Sequence, residues 1–207
     1  LSALFWAIKP IMFWEAMPWP KGAPALPKSQ CHRGYHPTGT QENTLAAFRA
    51  AAKARAEMVE LDVRLSKDGV AVVIHDADIK RVSGRDGKVA ELSAAELKSQ
   101  ASAPSLLEVL SDSECRGLRV NVEIKSSRAG TDGLEAAVAS AIRGAGAEGR
   151  VIFSSFNPLA LRRLSKLLPE VPRALLATHE KEPGNKIYLR RMWLAFLARP
   201  HMLNFDH

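Results

Sequence analysis

In VELDVRL, residues 59–65, the charged side chains Glu60, Asp62 and Arg64 alternate with Val59, Leu61, Val63 and Leu65. Strand side chains alternate between faces, so this segment has one oily face and one charged face. Its two carboxylates would stand roughly 7 Å apart along the strand, aimed at a point where a cation could sit. By itself the pattern also suits a half-exposed antiparallel strand whose polar face meets water. A second segment, LRVNVEIK, repeats it, with Val120, Val122 and Ile124 on one face and Asn121, Glu123 and Lys125 on the other. Both segments lie within an alternating α/β order, where one sheet face meets helices and the other faces an interior. Buried ions are costly unless they are paired or bound to metal. Glu60, Asp62 and Glu123 set against Arg33 and Lys125 meet that condition, so the charged faces are assigned to an interior site.

Three carboxylates without a thiolate suit a hard divalent cation, Mg²⁺ or Ca²⁺, with positions left for substrate oxygens. His32 follows SQC and His75 follows VVI, each at the end of a strand-like stretch. A single such histidine is ordinarily a plain surface or core residue. Together, at the C-terminal ends of strands one and three of a barrel, the two would point over the same mouth as the metal. One could then take a proton from an attacking hydroxyl while the other gives one to a leaving oxygen.

The elements that must position these groups alternate along the chain. PKGAPALPK, residues 20–28, has the composition of a linker, and the domain is expected to begin after it, giving an extension over 1–28 and a domain over 29–207. SQCHRG reads as the first strand and NTLAAFRAAAKARA as a helix; MVELDVRL and, after a KDG turn, AVVIHD follow as strands. Ser93 with Glu96 and Ser105 with Glu108 announce two short helices as capping boxes. LRVNVEIK, VIFSSF, RALLAT and HMLNFD are strands, interleaved with helices over LEAAVASAIRGAG, LALRRLSKLL and IYLRRMWLAFLA. Asn157 and Pro158 supply a cap and a first-turn proline. Seven strands mostly separated by helices, with no GxGxxG after the first, predict a (β/α)8 TIM-type barrel, which usually takes about 250 residues. A chain of 207 residues stopping at strand seven is expected to be truncated before strand eight, leaving unpaired edges.

Composition limits the partners. The net charge of +7 and pI near 9.6 favour anionic ligands such as phosphorylated small molecules, lipid headgroups or nucleic acid. The basic residues are scattered along helices without an aromatic-interleaved stripe, which argues against nucleic acid. Cys31 and Cys115 have no ligand-type spacing, so neither a zinc site nor a disulfide scaffold is indicated. Lys9, Pro10 and Glu15 interrupt the apolar first twenty residues before a run of about 18 is reached, which argues against a membrane span. Phe5, Trp6, Phe13, Trp14 and Trp19 could pack under the main domain or make peripheral contact with a membrane. Either a cytoplasmic or a peripheral-membrane location fits, and export stays open.

HRG at 32–34, QENTLAAF at 41–48, VELDVRLSKDGVAVVIHD at 59–76, PSLLEVL at 104–110, NVEIK at 121–125 and FSSFNPLALRRL at 153–164 occur in this order. Together they closely resemble the glycerophosphodiester phosphodiesterase family, over residues 29 to 207. The resemblance implies a metal held by Glu60, Asp62 and Glu123, an acid/base pair of His32 and His75, and phosphate binding by Arg33 and Lys125. It also implies a small insertion after strand three, at about 76–103, that shapes the glycerol end of the pocket. The expected reaction is metal-dependent hydrolysis of a glycerophosphodiester to glycerol 3-phosphate and an alcohol. Alternatives are a lysophospholipase D or sphingomyelinase D-like activity on a lysolipid, and a non-catalytic anion-binding module. The basic segment IYLRRMWLAFLAR would serve a lipid-active enzyme, but Tyr188, Met192, Trp193 and Phe196 also suit the inward face of an ordinary barrel helix. Gln41 stands where relatives often have Pro and is expected only to shape the turn into the helix. His36 is expected at the rim.

Overall fold

The computed structural model describes residues 16–126, 130–178 and 195–206. The first helix among the described residues, α1 (Leu45–Lys53), starts at Thr44, whose hydroxyl accepts from the Ala47 amide, and it buries Ala47, Phe48 and Ala51. The charged-and-oily segment forms β1 (Met58–Leu65), and LRVNVEIK supplies β3 (Arg119–Ile124), its parallel neighbour. In their register Glu60 is opposite Asn121 and Asp62 is opposite Glu123. β4 (Val151–Ser155), β5 (Arg173–Thr178) and β6 (Met202–Asp206) continue the sheet in parallel.

β2 (Ala71–Val73) is antiparallel to the end of β1, pairing Val63 with Val73 and Leu65 with Ala71. The expectation of a third parallel strand at AVVIHD is therefore corrected. A parallel return needs a crossover of a dozen or more residues, and Ser66–Val70 is only a tight turn, with Gly69 at φ +79°. SQCHRG is corrected as well: only Cys31 pairs, in a single parallel bridge to Val59. Arg33 and Gly34 at φ +55° and +86° turn the chain away directly afterwards. Among the described residues there are six named strands, in the order β2-β1-β3-β4-β5-β6, where the sequence suggested seven.

One face of the sheet is apolar. Val59, Leu61 and Val63 of β1, Val120, Val122 and Ile124 of β3, and Val151 and Phe153 of β4 share a core with helices on that side. Helices that contribute to it include α4 (Leu106–Ser111), α5 (Leu134–Gly144) and α6 (Pro158–Leu167). Leu134, Val138 and Ile142 fall on one stripe of α5, and Asn157 caps α6 ahead of Pro158. On the opposite face Glu60, Asp62, Asn121, Glu123 and Ser154 are all buried. The carboxylates of β1 therefore face an interior, not bulk water.

Residues that follow β2 form α2 (Lys80–Ser83), one 3₁₀ turn (Val89–Glu91) and α3 (Ala94–Ala101). Both capping boxes form, at Ser93 with Glu96 and at Ser105 with Glu108. This excursion has its own small core, in which Ile79, Val89, Leu97, Ala101 and Ala103 pack on Val72 and Ile74.

Trp19 meets His201 edge-on at a centroid distance of 6.2 Å and donates to the Pro24 carbonyl at 3.2 Å, so this ring is packed against the chain entering β6. Phe5, Trp6, Phe13 and Trp14 lie outside the described residues, as do Tyr188, Met192 and Trp193. Phe196, in α7 (Ala195–Ala198), is half-buried between the buried Ala195 and Ala198. No helix among the described residues is long and apolar enough to cross a membrane.

Candidate active site

Glu60 and Asp62 project from β1, and Glu123 from β3, with residual exposures of 4%, 0% and 7%. One oxygen from each lies within 4.8 Å of the others. The parallel register brings this about, because Asp62 and Glu123 are directly paired and Glu60 stands one inward position earlier. Lys125 Nζ lies 2.6 Å from Glu123 Oε1 and 3.0 Å from Asp62 Oδ1. Arg33 Nε lies 3.3 Å from Asp62 Oδ2. At Arg33 Nε, Asp62 Oδ1 and Glu123 Oε1 the ion-pair distances hold while the hydrogen-bond angles do not, so these are Coulombic contacts with directional capacity left over. Glu60 Oε1 has neither an ion pair nor a hydrogen bond, although it is buried.

The other groups hold this cluster in place. The Arg33 amide, turned by its positive φ, donates to Glu60 Oε2 at 3.0 Å. The adjoining Gly34 is required on packing grounds, because a Cβ there would lie 2.9 Å from the Ala47 Cβ of α1. Asn43 Nδ2 donates to Asp62 Oδ2 at 2.8 Å from within the buried interior. His32 is 67% exposed at the mouth, with Nε2 3.7 Å from Glu60 Oε2. His75 is half-buried; its Nδ1 is 2.6 Å from Asp76 Oδ1, and its carbonyl accepts from Arg64 Nε at 2.7 Å. It reaches the site from the end of the antiparallel β2, which corrects the placement at the end of a third parallel strand. The excursion that carries α2 and α3 correspondingly follows β2.

The charges do not settle equally. Burial, reinforced by Asp62, pushes the Glu60 carboxyl up to about 8 despite its bond from the Arg33 amide. Burial also raises Glu123, more than Lys125 offsets. Asp62 feels the same burial, but Lys125 and the Asn43 hydrogen bond outweigh it and hold this carboxyl below its usual range. Burial and then the Arg33 charge lower His32; burial lowers His75 more than the Asp76 contact raises it. Both imidazoles are thus biased toward the neutral form that a general base requires.

Three hard oxygen donors, one of them an unpartnered buried atom on a carboxyl too basic for its surroundings, fit a divalent cation. A cation there would relieve the mutual repulsion of the carboxylates and satisfy Glu60 Oε1. All seven residues singled out in the sequence, His32, Arg33, Glu60, Asp62, His75, Glu123 and Lys125, converge on this one region.

Sequence reasoning missed several supporting residues. Asn43 and Glu42 lie in the quoted QENTLAAF block and Asp76 directly follows His75, so their signal was present but unread. Arg81 gave none. Gln41 does more than shape a turn, since its Nε2 donates to the Ala101 carbonyl at 2.7 Å and ties the first loop to α3. His36 is exposed, with Nε2 3.3 Å from the His32 carbonyl.

The profile of the Glycerophosphoryl diester phosphodiesterase family matches residues 32–204. A glycerophosphodiester phosphodiesterase of Caldanaerobacter subterraneus is 36% identical over 157 residues, covering 70% of this chain and 64% of its own length. The chain therefore spans a little under two thirds of that curated relative. A solved glycerophosphodiester phosphodiesterase from Thermotoga maritima superposes with a TM-score of 0.63 at 32% identity, over 85% of this chain and 72% of that one. A phosphodiesterase of Oleispira antarctica, solved in complex with the product sn-glycerol-3-phosphate, gives a TM-score of 0.66 at 28% identity, over 87% and 75%. The mostly parallel six-stranded sheet with helices on its apolar face is thus the TIM-type barrel architecture of these structures.

Proposed function

Because the chain belongs to the glycerophosphoryl diester phosphodiesterase family, we propose that it hydrolyses a glycerophosphodiester to glycerol 3-phosphate and an alcohol. The observation that carries this reading is the buried Glu60, Asp62 and Glu123 cluster, with Glu60 Oε1 unpartnered and both imidazoles nearby. Glu60, Asp62 and Glu123 would hold a divalent cation, Mg²⁺ or Ca²⁺, which supplies Lewis-acid neutralisation of the diester charge.

The remaining chemistry belongs to the side chains. Arg33 and Lys125, which already contact the carboxylates, would take up the phosphate oxygens and stabilise the charge that shifts onto them in the transition state. His75 is the better base, because Asp76 fixes its Nδ1 and leaves Nε2 to receive a proton from water or from a glycerol hydroxyl. His32, exposed at the mouth, is then the acid that protonates the departing alcohol once the phosphate charge lies beside it.

Glycerophosphocholine hydrolysis, followed as choline release in EDTA, Mg²⁺ and Ca²⁺, tests the reading. Release is expected with a divalent cation and not in EDTA. Equal rates in all three conditions would remove the metal from the scheme.

A further inference from the structure

Arg81 lies outside the seven residues assigned above, on α2 of the excursion that follows β2. Its guanidinium bridges two carboxylates, with Nε 2.6 Å from Asp76 Oδ2 and Nη2 2.6 Å from Glu42 Oε1. Each of those carboxylates also grips a residue of the proposed machinery. Asp76 Oδ1 meets His75 Nδ1 at 2.6 Å, and Glu42 Oε1 accepts from Arg33 Nη1 at 2.9 Å. One side chain thus joins the segment that orients an imidazole to the segment that carries a phosphate-directed guanidinium.

We infer that Arg81 is a positioning residue that sets His75 and Arg33 relative to each other through Asp76 and Glu42, in an inference that rests on the proposed phosphodiesterase reading. Arg81 is 50% exposed, and exposed ion pairs contribute little to stability. Its geometric effect is larger. A planar fork can hold two carboxylates in fixed directions, which a single ammonium cannot. α2 is itself anchored, since Ile79 at its start is fully buried and its amide donates to the Gly87 carbonyl at 3.0 Å. The excursion therefore delivers the group that joins the His75 segment to the Arg33 segment. Misplacing a reacting group by about 1 Å costs on the order of 10²-fold in rate.

The test compares wild type with Arg81→Ala, Arg81→Lys, Asp76→Asn, Glu42→Gln and the double variants with Arg81→Ala, using glycerophosphocholine and Mg²⁺. Lys80→Ala on the same helix, whose partner is Asp86, is the control and keeps wild-type kcat and KM. Arg81→Ala is expected to lower kcat about 10²-fold with a smaller change in KM. Its melting temperature should stay within about 3 °C of wild type. Arg81→Lys should recover only part of the loss, and Asp76→Asn should cost less when Arg81 is already gone. Imidazole ¹⁵N spectra, assigned with His75→Gln, read the alignment without turnover: His75 should hold its proton on Nδ1 in wild type and become a tautomer mixture in Arg81→Ala. Wild-type kcat in Arg81→Ala, or an unchanged His75 spectrum in that variant, would overturn the inference. If wild type hydrolyses no diester at all, the phosphodiesterase reading falls, while the His75 spectrum still decides the role of Arg81.

Discussion

Asp62 and Glu123 are directly paired across the parallel strands β1 and β3, and the Lys125 ammonium contacts both carboxylates at 3.0 and 2.6 Å. Their charges respond differently, because Asp62 also receives the Asn43 amide while Glu123 does not. Asp62 is thus held below its usual range while burial pushes Glu60 and Glu123 above theirs, a mismatch that a further positive charge would reduce.

Glu60→Gln keeps the side-chain shape but removes the charge at the unpartnered Oε1 position. Hydrolysis is expected to fall by at least about 10²-fold, the scale at which lost charge stabilisation usually shows. In EDTA at pH 8 the variant should melt at or above the wild-type temperature, because it no longer buries a strained carboxylate. Choline release and thermal melts on the same preparations check both halves.

The metal-free protein should lose stability as pH rises from 6.5 to 8. Glu60 has a folded-state pKa of about 8 against an ordinary 4.5, so its contribution is complete below 4.5 and is lost as pH climbs through 8. The lowered values of His32 and His75 act in the opposite sense, but only below their ordinary 6.5. Between 6.5 and 8 the carboxyl therefore dominates the trend. Melting temperatures measured in EDTA across this window should decline, Glu60→Gln should flatten the decline, and added Mg²⁺ should reverse it.

Asn43→Ala removes the buried donor to Asp62 Oδ2. The loss of a hydrogen bond to a buried charge costs about 1.5–3 kcal/mol. A lower urea midpoint is expected, together with weaker cation binding as Asp62 loses its orientation; titration calorimetry with Mg²⁺ reads the second effect.

The capping boxes at Ser93 and Ser105 and the Asn157–Pro158 start of α6 were legible because each is decided by residues within one helical turn. The carboxylate face was legible because two separate strands carried the same alternation and had to share one interior. Strand direction was harder. AVVIHD is equally oily whether parallel or antiparallel, and only the shortness of the turn before it separates the two. SQCHRG lost its strand to the positive φ values at Arg33 and Gly34, of which only the glycine is suggested by residue type. Arg81 was illegible, because it lies on a four-residue helix with no buried residues and its two partners are 5 and 39 positions away.

Glu60, Asp62 and Glu123 are proposed to bind one divalent cation between them. Anomalous diffraction from a crystal soaked in Mn²⁺ measures this directly. A single strong peak is expected about 2.0–2.6 Å from an oxygen of each carboxylate, spanning the distances of hard-cation sites, with Glu60 Oε1 among the ligands. A map with no peak there, or with the ion on other residues while Lys125 alone neutralises the cluster, would contradict it.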